Sequence, residues 1–357
     1  MKVLLLRLSS LGDVLHTLPA LTDLARAHPD LELDWLIEPA FAPVAQWHPM
    51  VRQVLPFSLR DRRQGKKVLL QKILALRNQL HSRNYDLVLD SQGLYKSAIL
   101  ARLAGAPVLG LAPRSAREPL STLLYQQRYR VPWGPTAIQR NRELFAKALS
   151  YPRPSGPADF GLAALAKKWQ EEPVSLPAFL TRPFVIAFHA TSTAWQNKEW
   201  PIQHWISLAH NLADGGLALL LPAIDARERH RVESIVSAAP NVQGLPAMDL
   251  AELARIMVRA RAFVGMDTGL SYLAVALGLP GVVLYGPTAP ELDLHPWNTG
   301  PMIVPLSSRE SCAPCGQSQC RRISRSDQEI PCQESLLPET VWQQLWPLLK
   351  IDAHELP

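Results

Sequence analysis

The stretch Arg7–His16, RLSSLGDVLH, decides how the chain begins to fold. The apolar run Val3–Leu8 predicts a strand, and the apolar periodicity of Leu15–Ala27 predicts a helix directly after it. Between them, Ser10 and Asp13 have the spacing of a helix capping box in its acidic variant, Ser-x-x-Asp. The stretch therefore predicts a strand-to-helix turn with a carboxylate at its mouth. That carboxylate is either a cap or a catalytic base.

Gly12 argues against capping alone. A glycine inside a helix costs ~1 kcal/mol relative to alanine, and a cap does not require one. Glycine does allow a ligand to come close to the backbone.

The same alternation of apolar runs and amphipathic segments continues along the 357 residues. Nearly continuous apolar runs are typical of parallel strands covered on both faces. The predicted strands are Val3–Leu8, Leu33–Ile37, Leu87–Asp90, Phe184–His189, Ala218–Leu221, Phe263–Met266 and Val282–Tyr285. The predicted helices are Leu15–Ala27, Val68–His81, Trp205–Ala213 and Leu250–Arg259. This alternation predicts right-handed βαβ units and an α/β fold with doubly wound parallel sheets.

A proline-rich stretch, Tyr151–Arg182, interrupts the alternation. We therefore expect two Rossmann-like domains facing a cleft, with any ligand bound between the strand ends. The predicted bounds are residues 1–165 for the first domain, 166–182 for a linker, 183–340 for the second domain and 341–357 for a C-terminal helix.

The composition is that of a soluble globular protein, with 47% apolar and 19% charged residues. Charge interrupts the N-terminus too early for a signal peptide, and no window approaches the ~20 apolar residues of a membrane span. A cytoplasmic protein is expected. The net charge of +6 includes a basic cluster between Arg60 and Lys67, which indicates either an anionic partner or a solvated face. Nucleic acid is not the expected partner, because no nucleic-acid-binding module accompanies the cluster.

Two further turns carry polar residues at predicted strand ends. Met266–Ser271, MDTGLS, places Asp267 and Gly269 between a strand and a helix, where free N–H groups attract anions. His189–Pro201 offers hydroxyls and then Lys198, a combination that suits a diphosphate. The alternatives are a helix cap for Asp267 and a surface lysine for Lys198.

Two common motifs are missing from the sequence. No G-x-G-x-x-G follows the first strand, which disfavours a Rossmann oxidoreductase. No Asp-x-Asp pair is present to hold Mg²⁺ beside substrate phosphates. Helix termini and Lys198 are therefore expected to neutralise a leaving diphosphate.

Together these segments resemble the ADP-heptose:lipopolysaccharide heptosyltransferase family. The matching segments run in the same order over roughly residues 1–290. They are SSLGDVLHTLPALTD (Ser9–Asp23), DSQGLYKSA (Asp90–Ala98), AREPL (Ala116–Leu120), RELFAKALSY (Arg142–Tyr151), HATS…KEWP (His189–Pro201) and DTGLSYLAVAL…YGPT (Asp267–Thr288).

The resemblance implies an inverting glycosyltransferase of the B type that needs no cofactor for catalysis. The donor would be ADP-L-glycero-β-D-manno-heptose, bound by the second domain. The acceptor would be a Kdo residue of Kdo-lipid A, bound by the first domain, with peripheral contact to the cytoplasmic face of the inner membrane.

The resemblance also implies roles for individual residues. Asp13 would be the base and Lys198 the second catalytic residue. The donor would contact Ser10, Gly12, Thr191, Ser192, Lys198, Glu228, Met248, Asp267, Thr268, Gly269 and Leu270. The acceptor would contact Arg60, Arg63, Arg117 and Gln92. Arginine suits a carboxylated sugar because its fork binds carboxylates bidentately.

The chain departs from the family pattern at two positions: Tyr272 stands where histidine is common, and Asp61 interrupts the basic cluster. A larger departure is that all four cysteines have the spacing C-x2-C-x4-C-x11-C. In a cytoplasmic protein this clustering favours a metal over disulfides, and four thiolates suit Zn²⁺ or iron. Similar tails in other branches of the family bind iron. The residues are Cys312, Cys315, Cys320 and Cys332, either as a structural metal site or as four reduced thiols.

Two alternatives to this function remain open. A heptosyltransferase with another acceptor, such as a second core heptose or a protein hydroxyl, would keep the same donor. A non-catalytic nucleotide-sugar-binding protein would need the helix termini but not Asp13 as a base.

Overall fold

The computed structural model describes residues 1–59, 65–134, 136–172, 182–292, 302–323 and 329–350. Arg60, Asp61 and Arg63 therefore lie outside the described residues. The chain forms two compact units, Met1–Gly161 (unit 1) and Leu162–Pro357 (unit 2).

Unit 1 contains a sheet of six parallel strands in the order β3-β2-β1-β4-β5-β6. Its strands are β1 (Lys2–Leu6), β2 (Glu32–Ile37), β3 (Val51–Pro56), β4 (Leu87–Asp90), β5 (Val108–Leu111) and β6 (Gln127–Tyr129). Its described helices are α1 (Leu11–Leu15), α2 (Leu18–Ala27), α3 (Ala42–Trp47), α4 (Gly65–His81), α5 (Tyr95–Arg102) and α6 (Ala137–Ala148), with 3₁₀ turns at Pro39–Phe41 and Pro119–Leu124.

Unit 2 repeats this architecture with the strand order β12-β11-β10-β7-β8-β9. Its strands are β7 (Phe184–Phe188), β8 (Ala218–Leu221), β9 (Val242–Gly244), β10 (Ala262–Met266), β11 (Gly281–Tyr285) and β12 (Ile303–Ser307). Its described helices are α7 (Ala163–Glu171), α8 (Ile202–Asp214), α9 (Ala226–Ala238), α10 (Leu250–Met257), α11 (Gly269–Ala276), α12 (Pro331–Glu334) and α13 (Pro338–Leu349), with 3₁₀ turns at Thr193–Lys198 and Pro290–Leu292.

The predicted fold class, two Rossmann-like parallel sheets, is confirmed. Each central strand is buried on both faces, as the continuous apolar runs predict: the four residues after Lys2 in β1 and all five of β7 and β10 are buried. In unit 1, side chains of α4 and α5 pack with Leu4, Leu6 and Val88 in one core cluster. The carboxyl ends of the strands therefore present their loops at one edge of each sheet.

The last helix packs on unit 2. Val341, Leu345 and Leu348 of α13 belong to the core cluster of that unit. Trp200 joins the same cluster and donates its indole N–H to the carbonyl of Leu336, 2.7 Å away. Within the residues predicted as a C-terminal helix, 341–350 are described, and the helix begins earlier, at Pro338.

The first part of the predicted linker is helical. Helix α7 buries Ala166 and Trp169, and the Arg255 guanidinium lies 5.1 Å from the centroid of the Trp169 ring. Burial of this indole stabilises α7. The helix was not predicted, because the proline-rich sequence around it is typical of a linker. Residues 173–181 lie outside the described part of the chain.

Candidate active site

Asp13 is the third residue of α1, directly after the loop that leaves β1. Its Oδ2 accepts hydrogen bonds from the backbone N–H and the hydroxyl of Ser10, each at 3.1 Å. Ser10 is the N-cap, so the predicted capping arrangement is confirmed. Gly12, also predicted as a ligand contact, is buried in the same turn.

Two arginines form ion pairs with the other carboxylate oxygen of Asp13. The Arg7 Nη2 atom is 2.9 Å from Oδ1, and the Arg117 Nη2 atom is 3.9 Å from it. Burial alone would raise the pKa of Asp13, but Arg7, Arg117 and the Ser10 N–H together hold that pKa below its ordinary value. The carboxylate is therefore ionised at neutral pH and ready to accept a proton.

Gln92 holds the loop that carries Asp13. Its Oε1 accepts from the N–H of Leu8 at 3.0 Å, and its Nε2 donates to the carbonyl of Ser9 at 3.2 Å. The next residue, Gly93, has a φ of +68°, which favours glycine and turns the chain into α5. The Gln92 amide, predicted as an acceptor contact, thus also positions the β1–α1 loop.

Of the predicted acceptor arginines, Arg117 is the one that the structure describes. Its side chain is 66% exposed, so the guanidinium is accessible to an anionic group while it stays near Asp13. Lys96, which the sequence reasoning missed, lies beside the same loop, with its Nζ 3.4 Å from the Ser9 hydroxyl. Its presence in the segment Asp90–Ala98 was the available signal.

The predicted donor residues of unit 2 centre on a buried ion pair. The Lys198 Nζ lies 2.5 Å from Oδ2 of Asp267, which also accepts from the hydroxyl of Thr288 at 2.7 Å. Tyr272 donates its hydroxyl to the other carboxylate oxygen of Asp267. This contact accounts for the tyrosine at that position, because it satisfies a buried oxygen.

These contacts determine the charge of Asp267. Burial favours a raised pKa, but the Lys198 ammonium and the hydrogen bonds from Lys198, Tyr272 and Thr288 hold the pKa of Asp267 below its ordinary value. Both carboxylate oxygens are engaged, so in this structure Asp267 orients Lys198. The ammonium also lies 4.5 Å from the centroid of the Trp195 ring.

The N-terminus of α11 lies next to this ion pair. Thr268 is the N-cap, and Gly269 and Leu270 are the first two residues of the eight-residue helix. The Thr268 hydroxyl is buried and has no hydrogen-bond partner in the described structure. An unpaired hydroxyl beside free N–H groups can bind an anionic oxygen.

The loop after β7 is held by a network that sequence reasoning missed. Glu199 Oε1 accepts from the N–H of Thr191 at 3.0 Å and from Arg227 at 2.6 Å, and Arg227 also donates to the carbonyl of Thr191. Ser192 is exposed and precedes the 3₁₀ turn that ends at Lys198. Glu199 lies in the KEWP segment, whereas nothing in the sequence singled out Arg227.

Glu228 and Met248 complete the predicted donor set, and both are half-buried. Glu228 lies in the first turn of α9, where its Oε2 accepts from the N–H of Ile224 at 2.7 Å, and burial raises its pKa. Met248 precedes Asp249, the N-cap of α10. The predicted donor residues of unit 2 thus follow four neighbouring strands, β10, β7, β8 and β9, at the carboxyl edge of one sheet.

The four cysteines line one cavity of about 210 Å³ in unit 2, together with Asn197 and Pro287. Burial and the other three thiols raise the pKa of Cys332 to about 12. As the side chains lie, no three His, Cys, Asp or Glu residues of the described chain are arranged as metal ligands. The predicted metal site is therefore unconfirmed.

Known proteins are similar to this chain in sequence and in fold. The profile of glycosyltransferase family 9 (heptosyltransferase) matches residues 73–324. The chain belongs to this family. Its sequence is 39% identical to lipopolysaccharide heptosyltransferase 1 of Pseudomonas aeruginosa, over 98% of each chain. It is also 39% identical to the enzyme of the same name from Escherichia coli K12, over 82% of this chain and 90% of that one.

A solved structure of a heptosyltransferase has a similar fold. It is E. coli heptosyltransferase WaaC with ADP-2-deoxy-2-fluoro heptose, which matches with a TM-score of 0.80 and 33% identity over 97% of this chain and 99% of that chain. The predicted glycosyltransferase B-type fold is thereby confirmed. In the described part of this glycosyltransferase, no helix has the length and apolar character of a membrane span.

Proposed function

We propose that this family 9 glycosyltransferase moves L-glycero-D-manno-heptose from ADP-heptose to a Kdo hydroxyl of Kdo-lipid A in the lipopolysaccharide inner core. The observation that carries the proposal is Asp13, a carboxylate kept ionised by Arg7 and Arg117 at the end of β1. The identity of 39% to lipopolysaccharide heptosyltransferase 1 and the resemblance to a structure holding an ADP-heptose analogue support the choice of donor and acceptor.

The reaction is a single displacement with inversion. The acceptor oxygen attacks the anomeric carbon of heptose, Asp13 takes the hydroxyl proton, and the bond from that carbon to the ADP oxygen breaks. An ionised aspartate of low basicity is a modest base, so proton transfer comes late. Positioning of the reactants and an oxocarbenium-like transition state account for much of the rate enhancement.

Unit 2 binds the donor and neutralises the leaving group without a catalytic metal. Lys198, the N-terminus of α11 from Thr268 to Leu270, and Thr191 and Ser192 hold the diphosphate. The positive charge of Lys198 and the helix N–H groups are preorganised, which stabilises the charge that develops on departing ADP. Glu228 and Met248, which follow the neighbouring strands β8 and β9, bind adenosine or heptose, while Asp267 acts on the donor through Lys198.

Unit 1 binds the acceptor. Arg117 is exposed beside Asp13 and pairs with the carboxylate of Kdo, an interaction that Arg60 and Arg63 extend. Ser10 and Gly12, in the same loop as the base, contact the donor, and Gln92 holds that loop and contacts the acceptor. Because the acceptor is lipid-linked, the enzyme contacts the cytoplasmic face of the inner membrane peripherally.

A panel of acceptors tests this proposal. ADP-heptose is supplied with Kdo-lipid A, with lipid A whose core already carries heptose, and with a protein rich in serine hydroxyls. Transfer to Kdo-lipid A alone is expected. Transfer only to one of the other acceptors would contradict the assignment of Kdo-lipid A as the acceptor. Binding of ADP-heptose without transfer to any acceptor would favour a non-catalytic nucleotide-sugar-binding protein.

We also propose that the four cysteines hold a structural zinc or iron ion. The cysteine spacing and the shared cavity support this proposal. Binding requires the thiols to turn toward one another, since they do not form a ligand set as they lie. The cysteine segment also contacts the donor loops, because Asn197 donates to the carbonyl of Gln317 at 2.8 Å and Gly316 to that of Pro287 at 2.7 Å. An ion would thus stiffen the loops that carry Lys198 and Thr288.

A further inference from the structure

Three connections of unit 1 lie on one face of its sheet. Helix α4 joins β3 to β4, α5 joins β4 to β5, and the 3₁₀ turn Pro119–Leu124 joins β5 to β6. All three cross in the same direction along the strand order, so right-handed crossovers place them on the same side. Leu76 and Leu80 of α4 share a core cluster with Ala98 and Leu100 of α5, which confirms that placement. The outer face is the surface of these three elements that faces away from the sheet.

The outer face carries an unusual share of exposed apolar side chains. In α4, Leu70 and Leu74 are one turn apart and 57% and 48% exposed. In α5, Ile99 is 56% exposed, and in the 3₁₀ turn Leu120 and Leu123, which eclipse each other at this spacing, are 64% and 67% exposed. With Tyr95 and Leu124, these make seven of the thirteen exposed large apolar side chains in the described chain.

The segment that forms the outer face is rich in positive charge. Residues 62–134 contain thirteen Lys and Arg against three Asp and Glu, a net charge of +10. The whole chain has a net charge of +6, so the remainder is at −4. On the helices themselves, Lys67 and Arg77 flank the leucines of α4 at a spacing of three, and Arg102 follows Ile99 at the same spacing. All three cations are exposed.

The outer face is continuous with the acceptor end of the proposed active site. Arg117, whose guanidinium is 3.9 Å from Asp13, stands two residues before the 3₁₀ turn. Helix α5 begins three residues after Gln92, and Glu118 accepts a hydrogen bond of 2.5 Å from the first N–H of that helix. Arg117 and Glu118 thus connect the surroundings of Asp13 to the outer face.

We propose that the outer face lies on the surface of an anionic phospholipid bilayer. Leucine and isoleucine side chains enter the boundary between headgroups and acyl chains, while Lys and Arg bind anionic headgroups. Clustered apolar side chains of this kind mark an interaction surface. Their cationic border fits an anionic bilayer better than a second copy of this chain, whose outer face carries the same charge. The inference rests on the proposed function only in that a lipid acceptor explains the need for the surface.

Vesicle binding without substrate tests this inference. The full-length protein is sedimented with vesicles of phosphatidylglycerol and phosphatidylethanolamine, and with vesicles of phosphatidylcholine alone. The variant Leu70→Gln/Ile99→Gln/Leu123→Gln changes one residue in each element. Its affinity for the anionic vesicles is expected to fall by about tenfold or more. The matched control, Val236→Gln/Leu337→Gln, removes exposed apolar side chains of unit 2 and is expected to bind as the wild type does.

Two further readouts separate this surface from the active site. The triple variant should transfer heptose at the wild-type rate to a deacylated, water-soluble Kdo acceptor and more slowly to the same sugar on lipid A in vesicles. Unchanged vesicle binding by the triple variant would overturn the inference, as would equal binding to phosphatidylcholine. A loss of self-association in the triple variant, without loss of vesicle binding, would assign the outer face to a second copy instead. Failure of the proposed function would appear separately, as absent transfer with intact vesicle binding.

Discussion

The Arg7 guanidinium lies 2.9 Å from the Asp13 carboxylate, and its other terminal nitrogen donates to the carbonyl of Ser91 at 2.5 Å. Arg7 thus joins the loop after β1 to the loop after β4 and supplies a positive charge to the base at the same time. Asp13 remains ionised despite burial because that charge, with Arg117, outweighs desolvation. The base is therefore positioned by its cap and kept charged by its neighbours.

Replacing Arg7 should move the acid limb of the pH profile. Because the pKa of Asp13 lies below its ordinary value, wild-type kcat/KM should lose the contribution of Asp13 only at a lower pH than an ordinary aspartate would allow. In Arg7→Met, the effect of burial on Asp13 is no longer opposed by the charge of Arg7. The pKa of Asp13 therefore rises, and kcat/KM begins to fall at a higher pH than in the wild type. We also expect kcat at pH 7 to fall by roughly tenfold, since the base is less well positioned.

Arg7→Lys should partly restore the acid limb, because it returns the charge. Arg26→Met, which removes an exposed arginine paired with Asp159, is the control and should keep the wild-type profile. Identical acid limbs in Arg7→Met and wild type would contradict the role of Arg7.

Lys198→Met should destabilise unit 2 in a pH-dependent way. Removing one partner from a buried ion pair costs ~3–5 kcal/mol of unfolding free energy, and both side chains are largely buried. The pKa of folded Asp267 is lowered, so its ionisation stabilises the wild type above pH 3.8, and this contribution is lost as the pH falls through the folded pKa. In the variant the Asp267 carboxylate is buried without its cation, so the pKa of Asp267 rises, and its protonation relieves the penalty as the pH falls. The difference in unfolding free energy between wild type and variant should therefore be largest at pH 7 and narrow as the pH falls toward 4.

Urea unfolding at the two pH values measures this difference. Lys168→Met removes a solvent-exposed lysine that lies 4.0 Å from Glu172, and it should change the free energy of unfolding by less than ~1 kcal/mol. A Lys198→Met effect of that same small size at pH 7 would show that the ion pair does not form.

Tyr272→Phe tests whether Asp267 acts through Lys198. The variant leaves one oxygen of Asp267 without its hydroxyl donor, which should cost ~1 kcal/mol of stability and weaken ADP binding by less than about tenfold. Tyr272→His restores a donor and should recover the affinity measured by calorimetry. A loss of ADP affinity of more than about a hundredfold in Tyr272→Phe would mean that Tyr272 contacts the nucleotide directly.

The cysteine site predicts one zinc or iron ion per purified chain, measured by elemental analysis under reducing conditions. Cys332→Ser should lose the ion and lower the melting temperature by about 5 °C or more, since a structural metal contributes folding free energy. Ser318→Ala, in the same segment, is the control and should keep the ion and the wild-type melting temperature. A metal-free wild type that also fails to bind added Zn²⁺ or Fe²⁺ would contradict the proposal.

Most of the central strands of the two sheets could be predicted from the sequence, whereas the strands at the sheet edges could not. All seven predicted strands form, because each is a continuous apolar run buried in the middle of a sheet. Five of the described strands were missed. Of these, β3, β6, β9 and β12 lie at the edges of their sheets, and β5 is a buried interior strand of only four residues. Short edge strands have too little apolar pattern to be recognised.

The candidate site also contains residues that could be predicted from the sequence and contacts that could not. The position of Asp13 follows from local spacing, which a sequence contains. The partnership of Lys198 with Asp267 joins residues 69 positions apart, and that of Arg227 with Glu199 joins the first turn of α9 to the loop after β7. Such pairs depend on how the strands are ordered in the sheet, so they could be recognised only from the structure.

The central claim, that Asp13 is the base of a heptose transfer, is tested most directly by one paired assay. Wild type and Asp13→Asn are compared for heptose transfer from ADP-heptose to Kdo-lipid A, with ADP affinity and melting temperature measured on the same samples. We expect turnover to fall by roughly 10²–10⁴-fold in the variant, the usual contribution of a general base, while ADP affinity and melting temperature stay nearly unchanged. A variant that loses stability but keeps wild-type turnover per folded molecule would show that Asp13 is only a helix cap.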